Sequence, residues 1–234
     1  YLCKATALAM LGDINGAREV FDLALETDSD DIENILYSIT LVLQNLNFHE
    51  EMIPYLNKLA ELEPDIPAHL YDLAYAYDKK GDHQTSIKYY NLYLDEDPYS
   101  DSAWYNLGII YNKTGDYGKS LEVYDYALAL NPENTFALFN KANILSNLGK
   151  YNEAMDVYRQ FVEEEPDSLE GLTYLAECYD KTGDEAMARK YYAEAIDITP
   201  DFPDPWYGLG LLSLSRNRPA ESIMPLKKAI ELDP

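Results

Sequence analysis

The amino-acid sequence predicts an all-α fold, an α-solenoid of about seven helix–turn–helix repeats. Prolines recur every 34 residues, at Pro64, Pro98, Pro132, Pro166, Pro200 and Pro234. The stretches between them align without a gap, and in each one apolar residues recur at helical spacing in two segments separated by a glycine or an asparagine. A fixed period of this length indicates a repeat protein, in which each unit packs on its neighbours.

The whole chain, residues 1–234, is predicted to form a single repeat domain. Its repeats are expected to cover 1–32, as a partial repeat, and then 33–66, 67–100, 101–134, 135–168, 169–202 and 203–234. The chain begins at Tyr1 without a methionine, and it ends at Pro234 without the polar closing helix that normally caps such a stack. We therefore expect further sequence beyond both ends, or a second subunit over the exposed last repeat.

In each repeat, a small residue of the first helix is expected to face a bulky residue of the second. The small residues are Ala5, Thr40, Ala74, Gly108, Ala142, Ala176 and Gly210. The bulky residues are Phe21, Leu56, Tyr90, Tyr124, Tyr158, Tyr192 and Leu226. Gly208 is likewise predicted to be a packing glycine. Tyr93 and Phe161 place rings where alanine is usual, so they are expected to alter the spacing between neighbouring repeats.

The turn inside each repeat carries a residue that tolerates left-handed backbone. These residues are Gly12, Gly81, Gly115, Gly149 and Gly183, with Asn47 and Asn217 in the two other repeats. Glycine lacks the Cβ atom that clashes in this conformation, and asparagine is the next best tolerated residue. After the repeat-ending prolines, Asp65, Asp101, Asn134 and Ser168 are predicted to cap the following helices.

The repeat resembles the tetratricopeptide repeat, whose pattern is W-x2-L-G-x2-Y followed by a small residue, an aromatic residue, alanine and proline. The matching residues are Trp104, Leu107, Gly108, Tyr111, Ser120, Tyr124, Ala127 and Pro132. The resemblance covers essentially the whole chain. It implies a right-handed superhelix in which first helices line a concave groove and second helices form the convex back. It also implies a scaffold or adaptor for other proteins rather than an enzyme.

The balance of acidic and basic residues restricts the kinds of partner that the chain is expected to bind. Forty-two acidic residues against eighteen basic ones give a formal net charge of -24, which repels nucleic-acid phosphates and anionic lipid. No apolar run approaches the roughly 20 residues that cross a bilayer. We expect a neutral or basic protein or peptide as partner, with no nucleic acid and no membrane insertion. Cys3 and Cys178 form no CxxC pair, so a reducing, cytoplasmic location is expected.

No catalytic centre, metal site or cofactor site is predicted. His49, His69 and His83 lack metal-ligand spacing and are expected to be solvated or to cap helices. The run from Asp28 to Asp31 resembles the opening of a calcium loop. However, Ile32 and Glu33 stand where a ligand and the turn glycine are needed, so the run is interpreted as a linker.

The resemblance also gives candidate groove residues on the first helices. They are Tyr71, Tyr75, Tyr105, Asn106, Asn112, Phe139, Asn140, Asn143, Tyr174, Glu177 and Tyr207. Rings accept apolar or proline-rich side chains, and amides hold a bound backbone as both donor and acceptor. Tyrosine at this place is also common in the generic repeat, so the stripe of rings is explained equally well by repeat chemistry.

One binding mode of the family is not expected here. Relatives that hold the C-terminal carboxylate of a heat-shock chaperone use a clamp of lysine and arginine. In this chain the matching places hold Tyr71, Tyr75, Asn106, Phe136 and Asn140.

Two other functions stay open. The end repeats could mediate self-association, or the chain could be a regulatory or sensor domain of a larger protein whose catalytic part lies elsewhere.

Acidic runs end several second helices, as at Asp95–Asp97 and Glu163–Glu165. They either keep the surface soluble or steer a basic partner toward it, and the second interpretation predicts binding that weakens with salt.

Overall fold

A computed structural model of the chain describes residues 1–27 and 31–233. Within these residues the chain forms fourteen α-helices and no strand, so the predicted all-α class is confirmed. Asp28, Ser29 and Asp30, which open the calcium-loop-like run, lie outside the described residues, as does Pro234. No described helix combines the length and the apolar character needed to cross a membrane.

The chain divides into two compact units, Tyr1–Gly115 and Asp116–Pro234. The boundary falls inside the predicted repeat 101–134, and the single domain stays a prediction. Unit 1 contains α1 (Leu2–Met10), α2 (Ile14–Thr27), α3 (Ile32–Asn45), α4 (His49–Leu62), α5 (Ala68–Lys80), α6 (His83–Glu96) and α7 (Asp101–Lys113). Unit 2 contains α8 (Tyr117–Leu130), α9 (Thr135–Asn147), α10 (Tyr151–Glu164), α11 (Leu169–Thr182), α12 (Glu185–Ile198), α13 (Pro203–Ser215) and α14 (Pro219–Leu232).

Within each unit, helices pack in the order in which the chain forms them. The two helices of a repeat contact each other, and the second then contacts the first helix of the next repeat, as α4 contacts α5 and α10 contacts α11. The predicted pairing of small and bulky residues is confirmed in the last repeat, where a Cβ atom at Gly210 would lie 2.4 Å from the Leu226 side chain. Elsewhere the predicted partners Ala74 and Tyr90 in unit 1, and Ala176 and Tyr192 in unit 2, are all buried. Leu226 in the last repeat is only partly buried.

The turns have the predicted left-handed backbone. Gly81 and Gly183 have φ of 86° and 93°, and Asn47 and Asn217 have φ of 60° and 57°. After Gly81, the N–H of Asp82 donates to the carbonyl of Tyr77 at 2.9 Å. This bond satisfies a carbonyl that the end of α5 would otherwise leave without a partner.

Two of the four predicted helix caps are confirmed. Asn134 and Ser168 accept hydrogen bonds from the N–H groups of Ala137, at 3.0 Å, and Gly171, at 3.2 Å. The other two predictions were wrong. Ser100, one residue before Asp101, caps α7, and α5 begins after Pro67, two residues beyond Asp65.

Candidate protein-binding surfaces

The first helices of neighbouring repeats lie side by side, as α1 lies against α3 and α11 against α13. Their outward side chains therefore form one face in each unit, and the predicted groove residues divide between two faces. The unit 1 face carries Tyr71, Tyr75, Tyr105, Asn106 and Asn112. The unit 2 face carries Phe139, Asn140, Asn143, Tyr174, Glu177 and Tyr207.

On the unit 1 face, Tyr71 and Asn106 form a pair that links α5 to α7. The Asn106 Nδ2 donates to the Tyr71 Oη at 2.7 Å. The Tyr71 ring lies edge-on to the rings of Tyr90 and Tyr93, with centroids 5.5 and 5.3 Å away. Burial raises the pKa of Tyr71 above its ordinary value. These contacts hold both side chains in place before any partner binds.

The other unit 1 candidates are less uniform. The Tyr75 ring packs edge-on against His49, with centroids 5.2 Å apart, and the Lys79 Nζ lies 4.9 Å from its centre. Because Lys79 lies over the ring, Tyr75 already makes a contact with a cation. Burial, together with the charge of Lys79, lowers the pKa of His49. Tyr105 is half-buried and Asn112 is exposed on α7.

A polar cluster around the buried His69 joins α3, the end of α4 and α5. His69 was expected to be solvated or capping, but it is only 2% exposed because Tyr37 and Glu63 cover it. The Tyr37 hydroxyl donates to Glu63 at 2.6 Å, and the His69 Nε2 lies 3.0 Å from the same Glu63 Oε2. The bond to Glu63 raises the pKa of Tyr37 to about 12 and lowers that of Glu63. The cluster joins two repeats within unit 1.

On the unit 2 face, four rings form an aromatic cluster, made of Phe139, Tyr158, Phe161 and Tyr174. The Phe139 centroid lies 5.1 Å from that of Phe161 and 5.9 Å from that of Tyr174. The structure thus brings Phe139 and Tyr174, two of the candidates on the first helices, together with two rings of α10. Asn143 adjoins the cluster, because its Oδ1 accepts a hydrogen bond from the Tyr158 hydroxyl at 2.5 Å.

Beside this cluster lies a pocket of about 360 Å³, which we call the phenylalanine pocket. Its apolar lining comes from Phe136, Phe139 and Phe161, and its polar lining includes Glu165, Ser168 and Glu170. Sequence reasoning followed only the first helices and did not assign Phe161, Glu165, Ser168 or Glu170 to a binding site. The available signals were a ring at the alanine place and an acidic run at the end of α10.

Gly171 makes room for the ring of Phe161. A Cβ atom at Gly171 would lie 2.5 Å from the Phe161 ring, closer than real carbon contacts allow. Gly171 on the facing helix thus accommodates the Phe161 ring, and the predicted change of repeat spacing stays a prediction. The close approach fixes the Phe161 ring as one lining surface of the phenylalanine pocket.

The remaining unit 2 candidates extend the face along α9, α11 and α13. Asn140 is half-buried, and Tyr207 is 55% exposed. Desolvation by the surrounding protein raises the pKa of Glu177, and the carboxylates of Asp204 and Asp180 raise it further, while Lys181 lowers it. The face therefore presents rings, amides and a carboxyl group that gives up its proton less readily than usual.

A polar concavity of about 530 Å³ lies on the second helices of unit 2, between α8 and α10. Lys141 of α9 reaches it, although the aligned residues Leu107 and Leu175 are core residues. The Lys141 Nζ lies 2.5 Å from the Asp125 Oδ1. An ion pair thus takes the place of an apolar contact in this repeat.

In the part of the chain that the structure describes, no group of three or more histidines, cysteines and acidic residues is arranged to hold a metal ion.

Paired helices, left-handed turns and faces built from first helices define a helical-repeat protein. Family profiles of the tetratricopeptide repeat match residues 42–101, 102–134, 123–156 and 148–209. These matches run from residue 42 to residue 209. The chain belongs to the tetratricopeptide-repeat family, as its sequence pattern predicted, and this fold supports a role as a protein-interaction scaffold.

Solved structures share the fold. One of MamA is 21% identical, with a TM-score of 0.65 over 69% of this chain and 94% of that chain. MamA from Desulfovibrio magneticus RS-1, from residue 41 to the end, is 19% identical, with a TM-score of 0.67 over 71% and 94%. YrrB, described as a tetratricopeptide-repeat protein with an unusual peptide-binding site, is 19% identical, with a TM-score of 0.69 over 76% and 92%. These similarities confirm the α-solenoid fold. No curated protein matches the chain in sequence.

Proposed function

We propose that the protein is a scaffold or adaptor that binds an extended peptide or a helix of a partner protein on its first-helix faces. The observation that carries this proposal is the phenylalanine pocket, which opens beside the aromatic cluster and the asparagines of the unit 2 face. Pockets that combine apolar walls with a few polar groups are typical of binding sites. The peptide-binding site described for YrrB, which shares the fold, supports the same use of this one.

Rings and amides suit a bound peptide in different ways. Rings such as Phe139 and Tyr174 offer apolar area at a low cost in conformational entropy, because they already contact one another. Asparagine amides such as those of Asn106 and Asn140 contain both donor and acceptor groups of the kind that hold a bound backbone, and the Asn106 Nδ2 already donates to Tyr71. Pre-formed contacts of this kind improve affinity, since little ordering remains for the partner to drive.

The proposed mode excludes recognition of a terminal carboxylate by a cationic clamp. The positions that would carry the clamp hold tyrosine, asparagine and phenylalanine, and none of these side chains is cationic. With a net charge of -24, the chain favours a neutral or basic partner over an acidic one.

The test uses short peptides selected from a random display library on the purified protein. Asn106→Ala should weaken binding of a peptide selected on the unit 1 face about fivefold, and Asn140→Ala should weaken binding of a peptide selected on the unit 2 face by the same factor, the loss expected from one net hydrogen bond. Asn91→Ala and Asn152→Ala, on second helices of the same two units, are the matched controls and should change the affinity less than about twofold. Isothermal titration calorimetry measures all four variants. Failure to select any peptide, or unchanged affinity in both Asn106→Ala and Asn140→Ala, contradicts the proposal.

Self-association is the second candidate, favoured by the apolar surface of α14. Ile223 and Ile230 are 56% and 66% exposed. Two repeats earlier, the aligned Met155 and Val162 are partly buried against the core of unit 2. The last repeat therefore exposes apolar surface of a kind that is partly covered elsewhere in this unit.

Light scattering over a dilution series tests this candidate. If α14 mediates assembly, the wild type dissociates on dilution and Ile223→Glu with Ile230→Glu is monomeric throughout. Met224→Glu is the control, because Met224 is also exposed but aligns with the polar Asp156 and Lys190. A wild type that is monomeric at the highest concentration rules the candidate out.

A further inference from the structure

We propose that the phenylalanine pocket of unit 2 binds an arginine side chain of the partner protein. The inference rests on the proposed function and names the side chain that its main pocket takes. Three features of the pocket support it: its apolar lining, the charge at its edge and the backbone that positions it.

The lining fits the two parts of an arginine. Phe136, Phe139 and Phe161 provide flat apolar surface, and Phe136 is 71% exposed, so a ligand can reach its ring. The methylene stem of an arginine packs on such surface, and its planar guanidinium stacks on aromatic faces. A guanidinium is also more weakly hydrated than an ammonium, which reduces the cost of bringing a cation against apolar walls.

The charge at the edge of the pocket is negative. Glu165 and Glu170 line it, and within the described residues neither carboxylate forms an ion pair with a lysine, an arginine or a histidine. The pocket adjoins the C-terminal end of α10 and the N-terminal ends of α9 and α11, whose partial charges oppose one another. The preference for a cation therefore comes from the rings and the carboxylates.

Glu165 is the more informative of the two carboxylates. Glu170 lies in the first turn of α11, where the positive end of the helix already stabilises an acid. Glu165 is the C-cap of α10, where a negative charge is unfavourable. The helix dipole therefore does not stabilise the Glu165 carboxylate, whereas an ion pair with a bound guanidinium does.

The backbone around the pocket is built for this shape. Ser168 accepts the N–H of Gly171 and so fixes the start of α11. Gly171 in turn lets the Phe161 ring lie against the helix. The ring and the two carboxylates are thus placed by the junction between α10 and α11, and no rearrangement is needed to form the pocket.

The test compares three small probes, N-acetyl-arginine amide, N-acetyl-citrulline amide and N-acetyl-norleucine amide, added to the whole protein. Citrulline has the shape of arginine without its charge, and norleucine supplies an apolar chain alone. NMR shifts of the ring protons of Phe136 and Phe139 report binding at the pocket. We expect the arginine probe to bind about fivefold or more tightly than either neutral probe, the effect of about 1 kcal/mol of ion pairing at an accessible site.

Matched charge variants localise the effect. Glu165→Gln with Glu170→Gln should bring the arginine probe to the affinity of the citrulline probe. Glu163→Gln with Glu164→Gln removes the same charge from the same helix end but outside the pocket lining, and should retain most of the preference. Equal binding of arginine and citrulline, or an equal loss in both variants, overturns the inference.

The selected peptides separate this inference from the proposed function. If peptides bind the first-helix faces but their affinity is unchanged when each arginine is replaced by citrulline, the arginine pocket is wrong and the scaffold proposal stands. If no peptide binds, the proposed function itself fails.

Discussion

Gly208 and Gly210 show how closely the helices of the last repeats approach. A Cβ atom at Gly208 would lie 2.4 Å from the ring of Tyr192, and one at Gly210 would lie 2.4 Å from the side chain of Leu226. Both were predicted from the sequence to be packing glycines, and Gly210 stands at the small place that recurs in every repeat. The absence of a side chain is thus what allows α13 to contact α12 and α14.

Gly208→Ala should destabilise the protein by about 1–3 kcal/mol, the usual cost of overpacking a core, because the buried Tyr192 ring must move. The free energy of unfolding from urea denaturation measures the change. Gly118→Ala on α8 is the control, since its nearest neighbouring atom lies 4.0 Å from the added Cβ. The control should be neutral or slightly stabilising, because alanine favours a helix. Equal losses in the two variants contradict the packing argument.

Phe161 marks where prediction from single residues ended. Its ring was recognised as unusual at an alanine place, and the expected consequence was altered repeat spacing. The side of α10 on which the ring lies, and the fact that Gly171 faces it, could not be predicted from the sequence. Those facts depend on the angle between α10 and α11, which a periodic pattern leaves open. The phenylalanine pocket was therefore missed, although Phe139 was predicted.

The ends of the helices were predictable where one residue dominates the choice. A glycine or asparagine in each turn identified the left-handed positions. Ser100 and Asp101 are adjacent and equally able to cap, so the pattern could not decide between them. The structure selects Ser100 and leaves Asp101 in the first turn, where its charge favours the helix N-terminus.

A cluster of ion pairs joins α12 to the start of α14, because Glu185 and Glu221 both contact Arg189 and Arg218. Glu185 accepts hydrogen bonds from Arg218 and, at 2.7 Å, from Arg189. These bonds lower the pKa of Glu185 from its ordinary 4.5 to about 2. A lowered pKa in the folded state means that the ionised group stabilises the fold above pH 4.5, and that this contribution is lost as the pH falls toward 2.

Glu185→Gln should therefore destabilise the protein at neutral pH, and the difference from the wild type should shrink as the pH falls from about 4.5 toward 2. Urea denaturation at a series of pH values measures it. Glu194→Gln, on an exposed position of the same helix, removes the same charge without breaking these contacts. A difference that does not change with pH, or that the control reproduces, excludes the cluster of ion pairs as its cause.

At the scale of the whole molecule, the excess of acidic residues was evident from composition, and its consequences are electrostatic. A net charge of -24 on 234 residues makes the compact chain repel itself and attract basic partners. The family and the α-solenoid fold were predictable because seven repeats report the same pattern. The partner could not be predicted, because the repeat fold determines how a partner is bound, whereas the side chains on its faces determine which partner is bound.

Salt should have opposite effects on the fold and on binding. Raising the salt concentration from about 10 mM to about 150 mM shortens the screening length from about 30 Å to about 8 Å, which weakens repulsion between the carboxylates. We expect the melting temperature at neutral pH to rise, while affinity for a basic peptide falls. Circular dichroism and titration calorimetry on the same samples measure the two effects. The rise in melting temperature should largely disappear near pH 4.2, the isoelectric point calculated from the sequence, because the net charge is then small. An equal rise at both pH values would show that salt acts through something other than the charge of the chain.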